Sequence, residues 1–147
     1  MASSRQYLIA ATVLAKWNGS AALALSCPGG LKFGITKQPS DTSAISECYA
    51  NFTVDIVDVK KQAGTGVQAI TAMVKFEVWG GVALEVSNAL GDVQATFTYG
   101  QTLADPAGGT FLAMTSEAGD DIRPDMWKRG GKINRQGIHT AKVMVSI

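Results

Sequence analysis

The sequence has little charge, few cysteines and one histidine, and each scarcity excludes a class of protein. Asp, Glu, Lys and Arg make up 17% of the 147 residues, against about 25% in typical soluble domains. Because so little charge cannot cover a large free surface, we expect part of the surface to be buried against another molecule. The two cysteines, Cys27 and Cys48, are too few for a disulfide scaffold or a four-ligand zinc site. Two interpretations remain open: the cysteines are two half-buried thiols, or they form one disulfide with each other.

Long apolar runs and catalytic motifs are also missing. No run approaches the roughly 20 apolar residues that a membrane-spanning helix needs, so we expect no membrane insertion. The glycine-flanked serine of hydrolases, the HExxH zinc motif and the glycine-rich phosphate loop do not occur. The single histidine, His139, lies in a strand pattern and is more simply a structural residue than a base. The sequence therefore predicts no enzyme, no cofactor and no metal site.

The features that are present indicate β-structure. A chain of 147 residues has room for one domain with a core and too little for two. Sixteen glycines and four prolines, with many Ala, Thr and Val residues, are typical of strands joined by tight turns. The sequence predicts a single all-β domain over residues 1–147, an antiparallel β-sandwich (jelly-roll-like) or barrel of about eight or nine strands.

Alternation of apolar and polar residues gives the clearest strand signals. The segment CYANFTVDI places five apolar residues on one face: Cys48, Ala50, Phe52, Val54 and Ile56. The segment QAITAMVKFEV does the same with Ile70, Ala72, Val74, Phe76 and Val78. The last segment, GIHTAKVMVSI, alternates Ala141, Val143, Val145 and Ile147 against polar residues. We therefore expect three half-buried strands, the last of which ends the chain inside a sheet.

Two hairpins are predicted from turn signals. In FEVWGGVALEV, a three-residue loop over 79–81 would keep every apolar residue on one face, with a positive φ at Gly81. The following segment VQATFTY alternates like a further strand. At the start of the chain, two apolar segments flank Asn18-Gly19, a pair that favours a type I′ turn.

Charge is distributed unevenly along the chain, although the net charge is only +1. Residues 1–40 contain four bases and no acid, residues 41–125 contain all twelve acids and four bases, and residues 126–147 contain five bases and no acid. Four of these last five bases fall in the stretch 116–136, SEAGDDIRPDMWKRGGKINRQ, which shows no periodicity. We predict a long loop there, and loops of that length are usually functional or disordered.

Five residues of this stretch are the candidate contact residues: Trp127, Lys128, Arg129, Lys132 and Arg135. Three interpretations remain open. The bases could neutralise nucleic-acid phosphates, with the tryptophan stacking on a base. They could instead meet the acidic middle of another subunit, since complementary potentials favour oriented association. In the third interpretation the loop is solvated, and its bases pair with the acids just upstream.

Three features together predict a function: the low content of charged residues, the predicted strands that run almost to both termini, and the uneven distribution of acids and bases along the chain. We expect a self-assembling structural subunit of a virus or phage particle, a coat, decoration or tail-tube protein located in the virion. Its partners would be further copies of itself, with viral nucleic acid as a second candidate. The alternative is a monomeric β-sandwich module that binds carbohydrate or protein. Either function could use Trp17 and Trp79 as partner-facing aromatics, because both lie at predicted turns.

Overall fold

A computed structural model describes residues 4–34, 47–61, 68–98, 102–104, 110–129 and 132–146, with the backbone alone described at 5, 61, 68, 102–104, 110–129, 132–136, 145 and 146. Three helices lie in these ranges: α1 (Arg5–Asn18), α2 (Ala21–Ser26) and α3 (Ala83–Thr96). Six strands accompany them: β1 (Leu31–Phe33), β2 (Tyr49–Lys61), β3 (Gln68–Gly80), β4 (Thr102–Ala104), β5 (Thr110–Arg129) and β6 (Lys132–Ser146).

The strands form one open mixed sheet in the order β1-β2-β3-β6-β5-β4. β1 pairs with β2 in parallel, and every other pair of neighbours is antiparallel. A sandwich needs a second sheet to cover the first, whereas here helices pack on the sheet instead. The predicted all-β sandwich or barrel of eight or nine strands is therefore wrong.

The three alternating segments do form the central strands β2, β3 and β6. Their pairing sets Phe52 opposite Phe76, and Phe76 opposite His139, across three neighbouring strands. The predicted inward residues from 48 to 54 and from 70 to 78 are buried, and so are Ala141 and Val143. The face assignment of these residues is confirmed, because burial of one face of a sheet enforces a period of two. Ile56 is partly buried, and the predicted inward side chains of Val145 and Ile147 lie outside the described residues.

The N-terminal hairpin prediction is wrong, because that segment forms α1 and α2. Ser4 caps α1 by accepting a hydrogen bond from the Tyr7 amide, and Ser20 caps α2 by accepting one from Leu23. Asn18 ends α1, and the Gly19 amide donates to the Ala15 carbonyl at 3.1 Å. The Asn-Gly pair therefore terminates a helix instead of making a type I′ turn.

The second predicted hairpin is also wrong. β3 ends at Gly80, and Val82 begins a helix where a returning strand was expected. The buried side of α3 has helical spacing and consists of Val86, Ala89, Leu90 and Val93. Gly81 does not have the expected positive φ; among the described glycines, that conformation occurs at Gly30 and Gly34. The segment predicted as the strand VQATFTY supplies the last turn of α3.

The core lies between the central strands and the helices, and aromatic rings fill its middle. Phe76 has its ring centroid 4.5 Å from that of Phe97 and 6.0 Å from that of Phe52. Trp17 of α1 stacks on Phe76 and on Phe97 at 6.4 Å. Two glycines let α3 approach the sheet closely: a Cβ at Gly80 would lie 2.7 Å from Val86 Cγ2, and one at Gly137 3.2 Å from Leu90.

The stretch 116–136 was predicted to be a loop, but its backbone belongs largely to two strands. Residues up to 129 continue β5 and residues from 132 begin β6. Their register is irregular between Glu117 and Asp121 and again between Pro124 and Lys128. These irregularities interrupt the sequence periodicity, because each inserts residues that have no direct partner across the ladder.

Candidate assembly interface

The basic residues of the candidate site lie at the end of the β5–β6 hairpin. Arg129, the last residue of β5, pairs with Lys132, the first residue of β6. Lys128 pairs with Ile133, and Arg135 with Pro124. The topology thus brings four bases that are spread over eight residues of sequence to the last few register positions of one hairpin.

This end of the hairpin extends past its neighbour in the sheet. Arg135 pairs with Gly80, the last residue of β3, as well as with Pro124 of β5. Strand residues rise about 3.3 Å each, so Lys132 lies roughly 10 Å farther along β6 than Arg135. We call residues 125–129 of β5 and 132–135 of β6 the hairpin end. It emerges from the edge of the sheet where β3 ends and β2 begins.

The register of the hairpin end sets like charges against each other. Arg129 and Lys132 stand directly opposite, an arrangement that destabilises a strand pair. Among the described pairs of β5 and β6, no acid stands directly opposite a base. The ladder therefore provides no direct cross-strand neutralisation of these bases, although Glu117, Asp120, Asp121 and Asp125 are close in sequence.

A groove of about 490 Å³ lies between α2 and α3. One wall is a stripe of α2, formed by Ala22, Leu25 and Ser26, and the other is a stripe of α3, formed by Glu85, Asn88 and Asp92. Pro28, Glu47 and Cys48 complete the lining. The spacing of three and four residues places each stripe on one side of its helix. We call this feature the α2–α3 groove.

The groove is negatively charged. Among the described residues, its lining contains the three acids Glu47, Glu85 and Asp92 and no lysine, arginine or histidine. The ion pairs seen among the described residues join Lys60 to Asp58 and Lys75 to Glu77, so they neutralise none of these three carboxylates. Burial raises the pKa of the Cys48 thiol, and the negative charge of Glu85 raises it further.

Large exposed hydrophobic side chains accompany the acids. Leu25 in the α2 wall is 85% exposed, and Leu84, the residue before Glu85, is 69% exposed. Val82, which precedes α3, is 51% exposed. Apolar residues bordered by charged ones are typical of surfaces that bind other proteins. The α2–α3 groove therefore combines three carboxylates with the exposed Leu25 side chain, while Leu84 and Val82 lie beside it and not in its lining.

The other residues predicted from sequence lie elsewhere. Trp17 is 3% exposed in the core, and Trp79 is 2% exposed, so neither presents an aromatic surface to a partner. Trp127 is a hairpin-end residue of β5, where only the backbone is described. The expectation of partner-facing aromatics thus fails at Trp17 and Trp79, because both tryptophans pack inside this chain.

The groups most able to do chemistry are held in the core. The Nε2 of His139 donates to the Phe97 carbonyl oxygen at 2.7 Å, and its ring stacks on Phe76. Both cysteines are free and buried. Burial raises the pKa of the Cys27 thiol to about 12, with a smaller contribution from the neighbouring Cys48. Within the described ranges, no three His, Cys, Asp or Glu residues come together as a metal site would require.

Sequence reasoning missed the groove entirely. Its acidic wall becomes visible only when residues 83–96 are read as a helix, because Glu85, Asn88 and Asp92 share a face at helical spacing and not at strand spacing. Val82 occupies the N-cap of α3 without a side-chain capping bond. The usual sequence signal for a helix start was therefore absent.

Comparison with known proteins identifies the fold. No protein-family model matches the chain, and no curated protein matches it. A solved structure entitled "Virion of native gene transfer agent (GTA) particle" contains a chain that matches with a TM-score of 0.72 and 14% sequence identity. The match covers 99% of this chain and 100% of that chain. At this identity the two chains share a fold. No described helix has the length and apolar character needed to cross a bilayer.

Proposed function

We propose that this protein is a self-assembling structural subunit of a virus or phage-like particle and is located in the virion. The observation that carries the proposal is the shared fold, which extends over 99% of the chain at a TM-score of 0.72. The protein that shares it belongs to the virion of a gene transfer agent particle. The match covers nearly the whole of both chains. The two proteins therefore share an entire fold and not merely one common supersecondary unit.

Features of this chain support the same function independently of the likeness. The hairpin end concentrates four bases, and the α2–α3 groove concentrates three acids with exposed apolar neighbours. Surfaces with clustered charge and exposed apolar side chains reduce the solubility of a monomer, and they are typical of proteins whose subunits associate. The role as coat, decoration or tail-tube protein belongs to the proposal, and the described residues favour none of the three.

The direct test is the mass of the purified protein in solution. Size-exclusion chromatography with light scattering should give a multiple of the 15.4 kDa chain mass at micromolar concentration, and electron microscopy should show particles of uniform shape. A 15.4 kDa species across the whole accessible concentration range, with and without molecular crowding agents, would contradict self-assembly.

Nucleic-acid contact is a second candidate, because the hairpin end carries Lys128, Arg129, Lys132 and Arg135. Phosphate contacts release counterions, so binding would weaken linearly with the logarithm of salt concentration. Fluorescence anisotropy with short single-stranded and double-stranded DNA at several salt concentrations measures this slope. The alternative of a monomeric β-sandwich binding module loses its basis, since the sheet is open and Trp17 and Trp79 are buried.

A further inference from the structure

We propose that Cys27 and Cys48 form a redox-controlled pair, which exists as two thiols under reducing conditions and as one disulfide once the protein meets an oxidising medium. The crosslink joins the end of α2 to the residue before β2. The proposal rests on the proposed function for one point, the change of surroundings when a particle leaves the cell that built it. Cytosolic thiols are kept reduced, whereas disulfides persist in extracellular particles.

A tight turn carries the chain from the first cysteine to the second. Cys27 ends α2, and its carbonyl oxygen accepts a hydrogen bond from the Gly30 amide at 3.1 Å. The turn between them contains Pro28 and Gly29. The Gly29 amide in turn donates to the carbonyl oxygen of Cys48 at 2.8 Å. Cys27 is therefore two residues away from a residue that is hydrogen-bonded to Cys48.

Gly29 makes this close approach possible. A Cβ at Gly29 would lie 2.6 Å from the Cys48 carbonyl oxygen and 2.7 Å from the Tyr49 Cβ, so only glycine lets the turn lie against the start of β2. Cys27 is no more than two Cα–Cα steps of about 3.8 Å from Gly29. A disulfide spans about 4.4–6.8 Å between Cα atoms, a separation that this turn permits.

The two side chains lie in the same layer of the molecule. Cys48 shares the helix-covered face with Ala50 and Phe52, and its Sγ is 2.7 Å from the position of a Cβ at Gly80. Cys27 ends one of the helices on that face. Both thiols belong to one core cluster. Burial raises the pKa of the Cys27 thiol, and the nearby Cys48 raises it further, which independently indicates that the two sulfur atoms are neighbours.

Each cysteine borders a depression in the surface, so a small oxidant can approach. Cys48 lines the α2–α3 groove, and Cys27 lines a second depression of about 220 Å³ where the end of α1 meets α2. Pro28 lines both. A local opening of the turn at Pro28 therefore exposes both thiols. Because burial raises both thiol pKa values, the thiolate fraction is small and oxidation should be slow at neutral pH.

The oxidant is a small disulfide such as oxidised glutathione. One protein thiolate attacks a glutathione sulfur, forms a mixed disulfide and releases one glutathione thiolate. The second protein thiolate attacks the protein sulfur of the mixed disulfide, forms the Cys27–Cys48 bond and releases the other glutathione. In total, two protein thiols lose two protons and two electrons, and glutathione disulfide takes them up to become two glutathione thiols.

The crosslink would stabilise the subunit after assembly. It closes a loop of about 20 residues, and closing such a loop lowers the entropy of the unfolded chain. We expect the melting temperature of the oxidised protein to exceed that of the reduced protein by roughly 5–10 °C. The subunit is then more stable in the particle outside the cell than during its synthesis.

Mass spectrometry after oxidation tests the pairing directly. The reduced full chain is incubated with oxidised glutathione at mildly alkaline pH, and remaining thiols are then alkylated. Lys32 and Lys37 separate the cysteines into different tryptic peptides, so the disulfide should appear as one crosslinked peptide pair that a thiol reductant splits. The rate should increase with pH, because thiolate is the attacking form. The urea-unfolded chain under the same conditions verifies that the oxidant is active.

Two single variants, Cys27→Ala and Cys48→Ala, are the matched controls. Each retains one thiol, so oxidised glutathione should leave at most a mixed disulfide and should not raise the melting temperature. The reduced parent and both variants should give the same circular dichroism spectrum. A native chain that keeps both thiols for days while the unfolded chain is oxidised would overturn the proposal. A crosslink that lowers the melting temperature, or crosslinks between chains only, would overturn it too.

The outcomes separate this proposal from the proposed function. A chain that forms the disulfide but stays at 15.4 kDa contradicts self-assembly and supports the cysteine pair. Assembled particles that retain both free thiols in an oxidising medium overturn the pair and leave the structural function standing. Particles that gain the disulfide after assembly, and then resist heating better than particles of either alanine variant, support both.

Discussion

The helix-covered centre of the sheet and the hairpin end belong to the same strand, β6, yet differ in almost every physical property. Around Ala141 and Val143, β6 is buried between β3 and β5 and carries core side chains. Around Lys132, the same strand has passed the end of β3 and carries bases opposite a base. One strand thus carries core side chains at one end and basic residues at the other.

The centre of the sheet and the hairpin end are therefore under different physical constraints. In the centre, apolar burial of roughly 25 cal/mol per Å² dominates, and close packing makes each side chain sensitive to change. At the hairpin end, the register places Arg129 opposite Lys132, and a like-charge pair adds no stability to a ladder. Substitutions should therefore affect folding in the centre and association at the end.

The largest expected effect is at Phe76. Its side chain is fully buried and stacks with rings of both the sheet and the helix side. Phe76→Ala should lower the free energy of unfolding by about 3–5 kcal/mol, because it removes a large side chain and leaves a cavity. Chemical denaturation measures the change. Phe33→Ala, at a ring that is 40% exposed, should cost clearly less; equal costs would show that the core is not centred where we place it.

A smaller effect is expected where α3 touches the sheet. Gly80→Ala should destabilise the protein by about 1–3 kcal/mol, because the new Cβ would lie 2.7 Å from both Cys48 Sγ and Val86 Cγ2. Gly91 in α3 has no atom near its would-be Cβ. Gly91→Ala should therefore stabilise by about 0.5–1 kcal/mol through helix propensity. Thermal unfolding shows whether each variant is less or more stable than the parent. Destabilisation by both substitutions would contradict the packing of α3 described above.

The Cys27 thiol should make stability fall at alkaline pH. Its pKa is raised to about 12 in the folded protein, so the unfolded chain loses the proton first and stability declines as pH rises above about 9. Between pH 8 and pH 10 the parent should lose about 1.4 kcal/mol more than Cys27→Ala, at 1.36 kcal/mol per pH unit. Urea unfolding at the two pH values measures the difference. Parallel losses in both proteins would show that Cys27 does not titrate abnormally.

The smallest effect on folding is expected at the hairpin end. Replacing Lys128, Arg129, Lys132 and Arg135 together with Gln should change the unfolding free energy by no more than about 0.5 kcal/mol, since the register places no acid opposite any of them and charges without a close partner contribute little. A large loss of stability would break the comparison, because it would mean that these bases hold the hairpin together.

The central strands were predictable from sequence, and the helices were not. In β2 and β3, a strict period of two runs for many residues and is enforced by a buried face. Residues 82–86 show the same period, with Val82, Leu84 and Val86, but there it is accidental. Val82 and Leu84 are exposed and Val86 is buried at helical spacing. The preceding Gly80-Gly81 pair is also typical of a hairpin turn, so it supported the wrong prediction of a returning strand.

The sequence predicted the basic residues of the candidate site but not the acidic groove. The basic residues of 126–135 were visible as a run of charge, but their convergence depends on β5 pairing with β6 so that Arg129 meets Lys132. The acids of the groove were visible only as part of an acidic middle region. Glu47 and Asp92 are 45 residues apart in the chain, and no local pattern brings them to the same groove.

By itself, the sequence determined the buried faces of the central strands, the polarity of charge along the chain and the location of the basic cluster. These are local properties, set by residue order and by the alternation that a half-buried strand requires. The tertiary structure alone decided that the sheet stays open, that residues 83–96 form a helix and that three distant carboxylates line one groove. These outcomes depend on contacts between distant segments. The fit of α3 against Gly80 and Gly137 overrides the weak strand preference of its own residues, because burying four apolar side chains outweighs it.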